Sequence, residues 1–81
     1  MSVEKLIEDL RTEIKNLDDT KNRLTTLKNT LQQHSINPLV NESDKNIVHD
    51  KLNEIKILFE QCQSKQESLN NSIGELTEYI E

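Results

Sequence analysis

Eighty-one residues allow one small domain at most, and a hydrophobic content of 32%, with one Phe, one Tyr and no Trp, is too thin for a compact globule. Charged side chains make up 31% of the chain and the net charge is −5, a balance that disfavours nucleic acid and anionic lipid as partners. The single cysteine excludes an internal disulfide framework. No run approaches the roughly 20 apolar residues of a membrane span, and Met1-Ser2-Val3-Glu4 lacks the apolar core of a signal peptide. The expected compartment is therefore reducing and intracellular, cytoplasmic or nuclear.

The first predicted element is a helix over about 2–34. Val3, Ile7, Leu10, Ile14, Leu17, Leu24 and Leu31 recur in steps of three and four residues, or seven, so they line one seam of an α-helix. Ser2 suits the N-cap and Glu4 complements the helix dipole. Counted from Val3, positions 21 and 28 are due to be apolar but hold Lys21 and Lys28, while Thr20 and Leu27 sit one residue earlier. The stripe is expected to shift there, as at a three-residue stammer.

A turn is expected over about 35–42. The residue before Pro38 is pushed out of the helical region, so Ser35-Ile36-Asn37-Pro38 ends the first helix.

The second helix is expected over about 43–79, entered through Asn41 with Asp44 three residues on, the spacing of a capping box. Its seam reads Val48, Leu52, Ile55, Phe59, Cys62, Leu69, Ile73, Leu76 and Ile80, with Gln66 at a seam position facing the Ile14 region. A buried polar residue there fixes register, or the position is a gap reached by solvent. Gly74 lies inside the pattern and costs about 1 kcal/mol against Ala.

Two helices of similar length joined by a short connection form an antiparallel hairpin, here a single domain over 1–81. Paired residue numbers then sum to about 79: Leu31 with Val48, Leu24 with Ile55, Leu17 with Cys62, Leu10 with Leu69, Val3 with Leu76. All five pairs are apolar on both sides. The fold class is all-α, a helical hairpin or coiled coil that fits within a larger bundle. Its architecture resembles the helical hairpins that recur as small subunits of assemblies and as folding cofactors, without any residue-specific motif.

Folding back brings both termini to one acidic end. Residues 1–19 and 61–81 each carry −3, residues 20–41 carry +3 from Lys21, Arg23 and Lys28, and residues 42–60 carry −2.

Catalytic and cofactor chemistry finds no support. His34 and His49 flank the turn while Cys62 is several helical turns away, so no tetrahedral metal site uses all three. Cys62 on the seam reads as a small buried hydrophobe. A single Gly rules out a glycine-rich phosphate loop. A paired-carboxylate site needs a concave pocket, which a hairpin is not expected to offer. No cofactor, metal or small-molecule substrate is expected. The Asn-Glu-Ser and Asn-Asn-Ser sequons at 41 and 70 are without meaning in a chain that is not secreted.

Leu6, Leu27, Ile47, Ile57, Leu58 and Tyr79 lie off the seam. They are the expected partner-binding residues, Ile57 foremost because it points nearly opposite the seam within the apolar stretch 55–59. The expected function is a non-enzymatic protein-interaction module: a coiled-coil subunit or adaptor, or a self-associating bundle. The alternative is a small chaperone or inhibitor that holds a client through the acidic end.

Overall fold

The computed structural model describes residues 2–35 and 41–80. Two helices, α1 (Val3–Ser35) and α2 (Glu42–Thr77), pack against each other along a body of 60 × 16 × 14 Å. Among the described residues there is no strand. The architecture is the all-α hairpin expected from the seam. The termination at Pro38 and most of the expected turn lie outside the described residues.

Both helix starts follow from their caps. The Lys5 amide donates to Ser2 Oγ at 3.1 Å, and the Asp44 amide donates to Asn41 Oδ1 at 2.8 Å from an Asn41 backbone in the extended region. Each cap satisfies an amide that has no partner inside its helix. α2 ends at Thr77, two residues before the expected boundary. The Tyr79 and Ile80 amides close a last, tighter turn on the carbonyls of Leu76 and Thr77. Gly74 is helical, and the space where a side chain would begin is open.

Threonine is unusually frequent in α1, and its hydroxyls are turned inward on their own helix. Thr12, Thr20, Thr25, Thr26 and Thr30 each donate to the carbonyl four residues earlier, at 3.0–3.2 Å. This back-bonding satisfies the hydroxyl locally but slightly destabilises a helix. The stability of α1 therefore rests on its packed face rather than on intrinsic propensity.

That packed face is narrow. Among the described residues only Ile7, Leu24, Val48 and Cys62 are buried apolar side chains, and none is below 2% exposure. The whole chain exposes 6293 Å². A folded monomer of 9.4 kDa typically exposes about 5,000 Å². The difference of roughly 1,300 Å² goes with the elongated shape of the body, which has no room for a central core.

The seam does not shift at Lys21, the first of the two lysines that interrupt it; Lys28 is exposed and edges an open groove. Lys21 stays in the seam, its side chain 19% exposed, whereas Leu27 is 53% exposed and Thr20 is exposed. The expected stammer is therefore corrected, for a reason that lies on the opposite helix. Lys21 Nζ donates to Gln66 Oε1 at 3.0 Å and stands 5.2 Å from the centroid of the Phe59 ring. Its hydrocarbon stem fills the apolar position while its charge finds an acceptor and an aromatic face.

Candidate interaction surface

Gln66 is 8% exposed, the only buried polar residue among those described. Its Nε2 donates to the Ile14 carbonyl at 3.0 Å and to Asp18 Oδ1 at 2.7 Å, while its Oε1 accepts from Lys21. Asp18 and Lys21 lie 3.9 Å apart. Every polar atom of the Gln66 amide group is thus engaged across the seam, so the position is a buried polar residue and not a gap reached by solvent. The register is the expected one: Gln66 reaches Ile14, and Leu24 lines a groove with Ile55.

The two flanks of the hairpin differ. On the first, Leu24, Leu52, Ile55 and Phe59 floor an open groove of about 390 Å³ edged by Thr25, Lys28, Lys56, Glu60 and Gln63. A concave feature therefore exists where none was expected. It holds one carboxylate and no histidine, so the paired acid–base arrangement is lacking there.

The second flank is marked by a shallow depression lined by Glu13, Leu17, Ser64, Lys65, Ser68 and Leu69. Spacings of seven, eleven and fourteen residues are close to whole numbers of helical turns. They carry this flank from Leu17 back to Leu6, from Glu13 on to Leu27, and from Lys65 back to Leu58 and Ile47 and on to Tyr79. Five of the six off-seam residues expected to bind a partner fall on this one flank. Leu27, Ile47, Leu58 and Tyr79 are 53%, 56%, 48% and 80% exposed, and Leu6 is half-buried.

Ile57 does not share the flank. It is 54% exposed on the outer side of α2, in a second depression with Glu60, Gln61, Ser64 and Lys65. The two depressions share Ser64 and Lys65, so Ile57 adjoins the flank around α2 without facing the same way. Hydrophobic periodicity singled these residues out, but their convergence needed the handedness of the hairpin. Antiparallel helices turn the same rotational side of each seam to the same flank.

The remaining candidates are plainly placed. His34 and His49 are exposed, and Cys62 is a buried free thiol. Among the described residues no three His, Cys, Asp or Glu side chains are grouped to hold a metal ion, and no helix is long and apolar enough to cross a membrane. At the open end Lys5 pairs with Asp9 at 3.0 Å, and this hydrogen bond, with the negative charge behind it, raises the Lys5 amine above its ordinary pKa.

Comparison with protein-family models, with curated proteins and with solved structures finds no match to this chain.

Proposed function

We propose that the chain is a non-enzymatic protein-interaction module, a small coiled-coil subunit or adaptor that docks a further helical surface onto the flank carrying Leu6, Leu27, Ile47, Leu58 and Tyr79. The observation that carries this reading is that Leu27, Ile47 and Leu58, each about half exposed, fall on one flank by their helical spacing, while Ile57 and Ile80 are exposed away from it. An amphipathic partner helix laid along that flank removes apolar area from water on both sides, the usual driving force for helix recognition. No catalytic residue, cofactor or small-molecule substrate is part of the proposal. Its setting is an intracellular assembly.

Leu27→Glu and Leu58→Glu test it. Both positions face water in the free hairpin, so the helical circular dichroism should persist, while a charge buried in an interface is heavily penalised and association should be lost. Association measured on the wild type, by mass and by capture of partners, should survive 1 M salt. Unchanged association in both variants rules the flank out. Loss of association in high salt alone favours the alternative, capture of a basic client by the acidic end, which screening weakens steeply.

A further inference from the structure

We infer that the occupant of this flank is a second copy of the same chain, and that the two hairpins lie face to face and antiparallel, the open end of one against the turn end of the other, as a four-helix bundle. This rests on the reading of the flank as a docking face and names its partner.

Area comes first. The flank runs the length of a body 60 Å long and about as wide as the hairpin, 16 Å. Two such faces in contact reach the roughly 800 Å² per partner that a stable interface needs.

Charge then selects the partner and its direction. The flank carries Glu13 and, two to three turns on, Arg23 on α1; on α2 it carries Glu54, which Lys51 of the same chain meets at 3.3 Å on the surface, and, about three turns on, Lys65. These four lie near the middle of the hairpin, and a two-fold operation sets acids against bases in either direction, so the flank complements itself. The ends break the tie. With open ends together, two ends of −6 meet. With the hairpins antiparallel, α1 lies over α1, and the −3 of residues 1–19 in one copy meets the positive half of α1 in the other, twice over; of its three cations Arg23 stands on the flank, while Lys21 is held in the seam and Lys28 edges the opposite groove. The α2 halves meet with like sign, −2 against −3, a smaller term than the α1 attraction. Charges of this kind set orientation more than affinity.

The test uses the pure chain. Sedimentation equilibrium at about 100 µM, well above the micromolar dissociation constants of weak specific pairs, should give twice the 9.4 kDa of one chain. Leu27→Glu and Leu58→Glu should weaken the dimer by about a hundredfold or more. Should either lose its helicity, Leu27→Gln and Leu58→Gln repeat the measurement with a milder change. For direction, Glu4→Cys in a Cys62→Ala chain of unchanged helicity carries a spin label. At 1.5 Å of rise per residue, labels on the two copies should lie about 45 Å apart if antiparallel, and on the order of 20 Å apart if parallel.

A short distance overturns the antiparallel arrangement. A dimer lost on Ile57→Glu but not on Leu27→Glu or Leu58→Glu overturns the face. A folded monomer at all concentrations overturns self-pairing. In that last case the docking role stands if flank variants still abolish capture of another protein, and falls with it if they do not.

Discussion

Gln66 of α2 donates its side-chain amide to the backbone carbonyl of Ile14 on α1 at 3.0 Å, across the seam of the hairpin. A backbone acceptor cannot be displaced by rotating a side chain, so this bond ties one rung of α2 to one rung of α1. Lys21 and Asp18 complete it by engaging the other atoms of the amide. Sliding either helix by one heptad, two turns, breaks all three bonds while apolar seam positions would again meet apolar ones.

Gln66→Ala should therefore destabilise the hairpin by about 1–3 kcal/mol, because Lys21 and the Ile14 carbonyl lose buried partners. The paired change Gln66→Leu with Lys21→Leu should restore or raise the thermal midpoint, since an apolar pair replaces a buried polar cluster. Its cost should be uniqueness. Spin labels at Leu10 and Leu69, on the order of 10 Å apart in the native register, should give a broadened distance distribution in the double variant. A single sharp distance there would mean the heptads alone set the register.

Leu24→Ala should cost about 2–5 kcal/mol, comparable with the whole stability of so small a domain, because Leu24 is buried. Leu17→Ala should cost less, since Leu17 is half-buried at the edge of the hairpin. Thermal melts by circular dichroism rank the two, and equal midpoints would contradict the burial pattern.

Gly74→Ala should stabilise α2 by up to about 1 kcal/mol: the position is helical, and a new methyl group meets open space. Thr26→Ala should add a few tenths of a kcal/mol by removing an exposed back-bonding hydroxyl that packs against nothing distant. A lower midpoint for either would mean that these residues serve a contact outside the hairpin.

The hairpin and its pairing were legible in the sequence because heptad spacing reports which face of each helix is apolar, and Asn41 and Ser2 announce the helix starts. The continuation of the seam through Lys21 was not. A pattern of apolar letters treats lysine as polar, whereas four methylenes fill the position once Gln66 and Phe59 supply partners from a helix 45 and 38 residues away. The flank proposed for docking was legible only as a set of residues off the seam. That Leu6, Leu27, Ile47, Leu58 and Tyr79 converge while Ile57 turns away depends on antiparallel geometry, which one helix at a time does not contain. The open groove over Leu52 and Phe59 is lined from both helices, so neither helix alone carries its signature.

The central claim, that the chain works through one flank, is tested most directly by methyl NMR of Leu- and Ile-labelled protein below and above the concentration at which it associates. Shifts and new intermolecular contacts should appear at Leu6, Leu27, Ile47 and Leu58, with the Leu52 and Ile55 methyls of the opposite groove unmoved. Changes centred on Leu52 and Ile55, with Leu27 and Leu58 unaffected, would contradict it.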